Sequence, residues 1–358
     1  MFRSHGPAYR TQFGNRMLPS HLRAMQDIAR CRTETLGGQV YPGETCQAYH
    51  YSDHSCKNRH GPKCQHDQAE QGLEDHKSLL RPVPHFMVTL TLPDELRALA
   101  RHPQKTLYHL RLRRSAEALQ ELALAPRFIG GRIGMVGVLP TWTRALHYQP
   151  HVQYIVAGGG LSPQGSWLPS RQVFLVHVKP LSVLFRAKFR AQLHKTELFP
   201  LVDERAWSKD WVVHCEPIGS GEDAFRYLAP YIVRVAISNN RIITLEDGQV
   251  TFQDKDSATD HTTASTVTAE ECIRRFLQHV LPDRFIKVCY DGFLSPGNRH
   301  VLAKVSTVLG ASTVETTTTG QHPDGTEPTH AREGPRCPQC GSIVILVETL
   351  RPRSRWPP

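Results

Sequence analysis

The chain has 358 residues, of which 39% are hydrophobic, and carries 43 Lys and Arg against 33 Asp and Glu, a formal net charge of +10. This length suits two domains, or one large domain with appendages. No apolar run reaches membrane-spanning length and no apolar segment follows the polar start, so we expect a soluble protein that stays in a bacterial-type cytoplasm. The positive charge favours polyanions, of which nucleic acid is the commonest.

Residues 1–78 form a segment rich in Cys and His, with a helix predicted at Pro19–Arg30 and then an irregular stretch. The chain has nine cysteines, an odd number, and no secretory signal, so metal binding or buried thiols are favoured over disulfides. Four cysteines lie in this segment: Cys31, Cys46, Cys56 and Cys64. Near the other end, Cys337 and Cys340 form half of a zinc site, which is either completed by the N-terminal segment or left without metal.

The middle of the chain mixes strand and helix patterns without a regular repeat. β-branched residues and alternation predict strands at HFMVTLTLP and at Ile133–Leu139, His151–Val156, Gln172–Val178 and Trp211–Cys215. Helical spacing predicts helices at Lys105–Leu124, Ser182–His194 and Ala269–Val280, and a hairpin at Arg241–Gln253 turns at Glu246-Asp247-Gly248. We therefore expect an α+β fold with a sheet covered by helices, followed at about 310–335 by a flexible linker that lacks apolar residues.

One predicted strand carries a candidate metal site. His151 and Gln153 lie two residues apart, so their side chains share one face of the strand, while Val152 and Tyr154 point to the other. An imidazole nitrogen and an amide oxygen are acceptable ligands for Mg²⁺ or Mn²⁺. The alternative is a half-buried polar pair at a sheet edge.

The run Gly158–Gly160 follows the same strand. Glycines in this position either approach a phosphate backbone closely or turn a corner. The run lacks the spacing of a nucleotide-binding loop.

Two tyrosines, Tyr227 and Tyr231, lie four residues apart in YLAPYIVRVAISNNRI. On a helix this spacing places both phenols on one face. Each could attack a phosphodiester and hold the 5′ phosphate, although tyrosines at helical spacing are usually packing residues. Pro230 predicts a kink between them. Arg234, one turn beyond, and Arg241 are predicted to contact DNA phosphates, the alternative being solvated surface arginines.

The order of several sequence blocks resembles one family, the rolling-circle insertion-sequence transposases of the two-tyrosine HUH class, in the insertion-sequence-ninety-one group. The resemblance covers roughly residues 16–310, plus CPQCGS near the end. Its blocks are SCKNRH-PKCQ, HFMVTLTLPDELRALA, GGRIGMVGVL-TW, PHV-YIV-GGGLSP, VLFRAKFRA, DWVVHCEPIGSGE, YLAPYIVRVAISNNRI, IRRFLQHVLP and FLSPGNRH.

The resemblance implies an HUH-type central antiparallel sheet covered by helices and preceded by a small zinc-binding module. It implies a metal-dependent transposase that nicks and joins single-stranded DNA at transposon ends, with Tyr227 and Tyr231 as nucleophiles and His151 with Gln153 as ligands of Mg²⁺ or Mn²⁺. The corresponding domains are residues 1–78 (zinc-binding module), 79–309 (catalytic domain) and 310–358 (linker and CxxC tail).

The chain departs from the family pattern at both metal sites. Where the family has His-Pro-His-hydrophobic-His, this chain has Gln149-Pro150-His151-Val152-Gln153, similar to the His-hydrophobic-Gln version of viral nicking enzymes. Where the family has two Cys-x-x-Cys pairs, the first member of each is glycine, Gly43 before Cys46 and Gly61 before Cys64.

Structural zinc normally has four protein ligands, so the N-terminal module needs other ligands or does without metal. The expected set is Cys46, Cys56, His60 and Cys64, with Cys31 as a further candidate. All four replacements are reachable by single-base changes, which leaves two hypotheses: a variant with altered metal use, or a degenerate, catalytically silent DNA-binding remnant. A zinc hydrolase is disfavoured because no His-Glu-x-x-His motif is present.

Overall fold

The computed structural model describes residues 1–46, 48–61, 64, 81–97, 99, 104–143, 145–220, 223, 237–255, 262–310 and 336–352. The chain divides into two compact units, one formed by Met1–Gln65 with Glu315–Pro358 and the other by His66–Val314. The boundary expected near residue 78 falls in a stretch outside the described residues.

The first unit combines two helices with a small antiparallel sheet. Its helices are α1 (Phe2–Phe13) and α2 (Pro19–Arg30), and its strands are β1 (Gly38–Pro42), β2 (Tyr49–Asp53) and β12 (Glu348–Leu350), arranged in the order β12-β1-β2. The helix predicted at Pro19–Arg30 is confirmed, and Pro19 occupies its first turn, where a missing N–H costs nothing. Strand β12 lies more than 300 residues away from β1 in sequence, and this pairing was not predicted.

The second unit is built on a six-stranded antiparallel sheet. The strands are β3 (His85–Thr91), β4 (Arg132–Val138), β5 (His151–Leu161), β6 (Trp167–Pro169), β7 (Val213–Pro217) and β11 (Val288–Gly292). The main path of the sheet runs β11-β4-β5-β3-β7, and β6 pairs with β5. A separate sheet contains β8 (Ile242–Glu246), β9 (Gln249–Lys255) and β10 (Thr262–Thr268).

The helices of this unit are α3 (Asp94–Arg97), α4 (Gln104–Leu124), α5 (Val178–Leu193), α6 (Arg205–Ser208), α7 (Ala269–Leu277) and α8 (Arg299–Val308). Short 3₁₀ turns occur at Gly14–Arg16, Glu34–Leu36, Phe199–Leu201, Asn239–Arg241 and Pro296–Asn298. The expected α+β class with an antiparallel sheet and flanking helices is confirmed.

The two faces of the central sheet are covered differently. Val152, Tyr154 and Val156 of β5 pack in the main core with apolar residues of α4 and α5, and Ile155 and Ala157 pack on the other face in a smaller cluster that includes Val305 of α8. The Tyr154 hydroxyl donates to the Leu112 carbonyl at 2.7 Å and so fixes α4 to the sheet. Strand β5 is therefore buried on both faces, and packing on both sides holds it in place.

The strand predicted at Gln172–Val178 is wrong. This stretch forms turns with one isolated bridge between Arg171 and Phe174, and helix α5 already begins at Val178. Leu175 and Val176 are buried in the main core, whereas Val173 is 77% exposed. The apolar side chains are thus buried without a ladder partner, which a sequence pattern cannot distinguish from a strand.

Candidate functional site

Strand β5 places His151 and Gln153 in the interior of the sheet. It pairs with β3 on one side and with β4 on the other, so that Gln153 lies opposite both Thr89 and Val138. The alternative of a polar pair at a sheet edge is therefore excluded for Gln153. His151, at the first position of the strand, lies opposite Thr91 and on the same face as Gln153.

The backbone before the strand orients the His151 imidazole. Its Nδ1 lies 2.8 Å from the Gln149 carbonyl oxygen. A carbonyl oxygen can only accept a hydrogen bond, so Nδ1 carries the proton. Nε2 therefore keeps a lone pair with which it can bind a metal ion. Burial lowers the pKa of His151, and the positive charge of Arg111 adds to this lowering against the opposing hydrogen bond to Gln149. Near neutral pH the ring is therefore in the neutral form that binds metal.

Gln153 offers a buried oxygen. The residue is 7% exposed, and among the described residues its Oε1 has no hydrogen-bond donor. An amide oxygen left in this way costs about 1–3 kcal/mol, which a bound cation would offset. Together with the oriented His151, this oxygen fits a divalent cation that accepts one nitrogen and one hard oxygen ligand.

The same face of the sheet continues to strand β7. Thr89 lies opposite both Gln153 and His214, which places His214 on the face that carries the candidate metal ligands. His214 Nε2 lies 3.1 Å from Glu216 Oε2, and the side chains of His214 and Glu216 are 62% and 43% exposed. This pair was missed in the sequence because its relation to β5 depends on the strand order across β3.

The glycine run has a packing role. Gly159 and Gly160 belong to β5 and pair with β6, where a Cβ on Gly159 would lie 2.5 Å from Trp167 Cζ2. A Cβ on Gly160 would lie 2.8 Å from the backbone of Gly131. The run does not turn a corner, because its glycines continue β5 and allow the strands to pack closely. An approach to phosphate stays a prediction.

The remaining predicted DNA-processing residues are only partly described. Tyr227, Tyr231 and Arg234 lie outside the described residues. Arg241 donates from Nε and Nη2 to the Gln253 carbonyl, at 3.0 and 2.7 Å, and its guanidinium lies over the Phe252 ring. Arg241 thus supports the sheet of β8, β9 and β10, and a contact with DNA stays a prediction.

In the first unit, the structure gathers the cysteines into two clusters. The first consists of Cys31, Cys56 and Cys64, with Sγ–Sγ distances of 3.1 Å (Cys31–Cys64) and 3.4 Å (Cys56–Cys64). Four thiolates bound to one zinc ion would lie about 3.8 Å apart, given Zn–S bonds of about 2.3 Å in a tetrahedron. Three thiols this close suit a shared metal ion, since three adjacent thiolates would otherwise repel one another.

The second cluster consists of Cys46, Cys337 and Cys340. Cys46 Sγ lies 3.6 Å from Cys337 Sγ, although 291 residues separate them. Hydrogen bonds from Ser342 lower the pKa of the Cys340 thiol to about 6, which favours the thiolate that binds metal. The alternative in which the N-terminal module completes the CPQC motif is the one that the structure supports.

The expected ligand set is divided between these clusters. Cys56 and Cys64 lie together and are joined by Cys31, whereas Cys46 lies in the other cluster and His60 in neither. The reason is the fold of β1 and β2, since Cys46 lies in the connection between these strands and the other cysteines lie outside it. Zinc ligands in either cluster remain a proposal.

The two glycines that replace cysteines border these clusters. A Cβ on Gly43 would lie 2.6 Å from Cys46 Sγ and 3.1 Å from Cys337 Sγ, and a Cβ on Gly61 would lie 3.0 Å from Cys64 Sγ. Each cluster therefore contains three thiols with a glycine beside them, in the position from which the family's fourth cysteine would enter.

No helix in the described part of the chain is both long enough and apolar enough to cross a membrane. No solved structure matches the chain.

Comparisons with known proteins identify the family. Residues 1–92 match the family model described as "Transposase zinc-binding domain", and residues 134–301 match the one described as "Putative transposase". The chain is 36% identical over 375 residues to "Putative transposase y4qJ" of Sinorhizobium fredii, which covers 97% of this chain and 94% of the relative. It is 27% identical over 283 residues to "Transposase for insertion sequence element IS801" of Pseudomonas savastanoi pv. phaseolicola, covering 74% of this chain and 68% of that relative.

These matches confirm the resemblance seen in the ordered sequence blocks, and the matched zinc-binding domain together with the cysteine clusters supports structural zinc. The chain belongs to the IS91 family of insertion-sequence transposases, with an N-terminal zinc-binding domain.

Proposed function

We propose that this transposase nicks and joins single-stranded DNA at transposon ends through 5′ phosphotyrosine intermediates, as in rolling-circle transposition. Tyr227 and Tyr231 are the nucleophiles, and His151 with Gln153 holds Mg²⁺ or Mn²⁺. The observation that carries the proposal is the pair of ligand atoms on β5, the oriented His151 imidazole and the buried, unbonded Gln153 Oε1. The family membership supports the DNA substrate.

The chain's own residues prepare the site in three ways. The Gln149 carbonyl fixes the His151 tautomer, burial keeps that ring neutral, and Gln153 adds an oxygen without charge. Because both proposed ligands are neutral, they leave the charge of a bound cation available to a phosphate. Bound Mg²⁺ or Mn²⁺ would polarise the scissile phosphate and stabilise the negative charge that develops on it.

The proposed reaction conserves the phosphodiester bond energy. A tyrosine hydroxyl gives up its proton as its oxygen attacks phosphorus, the bond from phosphorus to the 3′ oxygen breaks, and the 3′ oxygen takes up a proton and leaves as a hydroxyl, so that no net proton is released. Attack of a 3′ hydroxyl on the phosphotyrosine reverses the step and joins the strands. Two tyrosines allow one DNA end to stay attached while another strand is cut.

The N-terminal unit, in this proposal, is a zinc-stabilised module that helps to present DNA to the catalytic domain, within the expected domains 1–78, 79–309 and 310–358. The net charge of +10 favours binding to DNA, which we expect to occur in the bacterial cytoplasm.

A covalent adduct assay tests the proposal. The full-length protein is incubated with a labelled single-stranded oligonucleotide from the element's ends and Mg²⁺ or Mn²⁺, and the products are separated under denaturing conditions. We expect an adduct with the wild type that disappears in the double variant Tyr227→Phe, Tyr231→Phe. The matched control is Tyr51→Phe, because Tyr51 is 69% exposed and lies outside the proposed site.

An adduct that survives the double substitution would refute the nucleophile assignment. If the wild type binds the oligonucleotide but forms no adduct with either metal, the chain is the silent DNA-binding remnant instead. This second candidate is favoured by the four positions where the family pattern implied by the resemblance has a His or Cys and this chain does not: Gln149, Gln153, Gly43 and Gly61.

A further inference from the structure

The C-terminal segment 336–352 belongs structurally to the first unit. Gly38, Gln39 and Val40 of β1 pair with Leu350, Thr349 and Glu348 of β12. A further bridge joins Gly43 to Val344, next to the start of the connection that contains Cys46. Among the described residues, this segment pairs with the rest of the unit in two short stretches of backbone, which is little for a segment of its length.

Within this segment, the CPQC motif folds into a tight turn. The Gly341 N–H donates to the Cys337 carbonyl at 2.8 Å, and the Cys337 N–H donates to the Ser342 carbonyl at 2.7 Å. Gly341 has a φ of +74°, a left-handed conformation that glycine adopts without cost. The turn brings Cys337 and Cys340 to one side, where both sulfur atoms meet Cys46 within 4.8 Å.

A histidine reaches the same cluster from β2. His50 Nε2 lies 2.9 Å from Cys337 Sγ, and His50 is half-buried opposite Tyr41 of β1. The imidazole contacts one of the three sulfur atoms, but its nitrogen is not within 4.8 Å of all three, so binding one metal ion together requires a small movement of the His50 side chain. One nitrogen with three sulfurs is a donor set typical of structural zinc.

Gly43 explains why a histidine is needed. A thiol at position 43 would enter the cluster beside Cys46 and Cys337, but glycine provides no ligand there. The three cysteines alone leave one tetrahedral corner open, whereas structural zinc sites are closed.

We propose that Cys46, His50, Cys337 and Cys340 form a zinc site that fastens the C-terminal segment 336–352 to the N-terminal module, with His50 in place of the thiolate missing at Gly43. The site links strand β2, the connection after β1 and the C-terminal turn. We therefore expect removal of the metal to loosen 336–352, because the backbone pairings described between this segment and the rest of the unit are the short ones with β1 and Gly43.

The test measures metal and local protection in the full-length chain. Zinc content after dialysis against a chelator is compared for the wild type, His50→Ala, Cys340→Ser and the control His5→Ala, which alters a histidine of α1. Hydrogen exchange of 336–352 is measured on the same samples. We expect His50→Ala and Cys340→Ser each to lose one zinc equivalent and to exchange faster in 336–352, while His5→Ala matches the wild type.

Two further variants distinguish a lost ligand from a damaged fold. His50→Cys keeps a ligand at position 50 and should retain the zinc equivalent. Gly43→Cys combined with His50→Ala should regain the zinc equivalent, because the new thiol supplies the missing ligand. Gly43→Ala combined with His50→Ala should not regain it. Cobalt(II) substituted for zinc should show stronger thiolate charge-transfer absorption in His50→Cys than in the wild type, because one more sulfur is bound. The proposal is overturned if His50→Ala keeps full zinc content and unchanged exchange, which would leave His50 only a hydrogen-bond partner of Cys337.

Discussion

The imidazole of His151 is held by the backbone of Gln149, two residues earlier, with 2.8 Å between Nδ1 and the carbonyl oxygen. The loop itself is fastened to the end of β4, because the Gln149 N–H donates to the Thr141 carbonyl and the His151 N–H to the Pro140 carbonyl, at 2.9 and 3.0 Å. The orientation of this ligand thus depends on backbone atoms. Because the support comes from the backbone of residue 149, it does not depend on which side chain stands there.

Gln153→His should strengthen metal binding. A second imidazole on the same face restores the His-hydrophobic-His pattern, and imidazole is a better ligand for Mn²⁺ than an amide oxygen. Gln153→Ala should weaken Mn²⁺ binding by at least about tenfold, the lower end of what even outer-shell changes cost. Titration calorimetry with Mn²⁺ measures both. Equal affinities in the wild type and in Gln153→Ala would show that Oε1 is not a ligand.

Gly61→Cys should tighten zinc binding in the cluster of Cys31, Cys56 and Cys64. The new Cβ lies 3.0 Å from Cys64 Sγ, so its thiol can complete a four-cysteine site. Competition with a chromophoric chelator gives the affinity, and Gly61→Ala is the matched control, since it adds the Cβ without the thiol. A variant no tighter than this control would show that the glycine does not occupy the missing corner.

The stability of the second unit should fall as the pH is lowered from about 6.5 to about 4. Burial lowers the pKa of both His85 and His279 to about 4, so both stay neutral in the folded state while they are protonated in the unfolded chain over this interval. The unfolded state binds more protons there, so unfolding becomes easier, by on the order of 3 kcal/mol per residue by pH 4.

Denaturant unfolding at several pH values measures this dependence. The variant His279→Gln removes one titrating group and should show a shallower fall than the wild type over the same interval. An identical pH dependence in the two proteins would contradict the assignment for His279.

Gly159→Ala should destabilise the second unit by about 1–3 kcal/mol, because the added methyl group would overlap the Trp167 ring 2.5 Å away. Thermal unfolding measures the loss as a shift of the midpoint. Gly297→Ala is the control, since nothing lies within 4 Å of its Cβ position. A midpoint for Gly159→Ala equal to that of Gly297→Ala would show that β6 moves away without cost.

The sequence anticipated those parts of the fold that depend on local pattern. Alternation in HVQYIV predicted β5 and the shared face of His151 and Gln153, and Glu246-Asp247-Gly248 predicted the hairpin of β8 and β9, in which Asp247 and Gly248 both have positive φ. The extension of β5 through its glycines was not predicted, because glycine weakens a strand pattern.

The features that sequence reasoning missed or left open depend on contacts between distant parts of the chain. Whether the N-terminal segment completes the CPQC motif stayed open, because spacing within one segment gives no information about a contact such as that of Cys337 with Cys46 across 291 residues. His50 was overlooked for the same reason, since it becomes a candidate ligand only when the C-terminal turn is placed beside β2. His214 likewise depends on the position of β7 next to β3.

We expect a tyrosine of the pair at 227 and 231 to become covalently bound to DNA. The most direct measurement is mass spectrometry of the wild-type protein after incubation with a single-stranded oligonucleotide from the element's ends and Mg²⁺ or Mn²⁺, followed by protease and nuclease digestion. We expect a nucleotide attached through its 5′ phosphate to Tyr227 or Tyr231, formed only when the divalent metal is present. A nucleotide attached to another residue, or no attachment in metal-loaded protein that binds the same oligonucleotide, would contradict it.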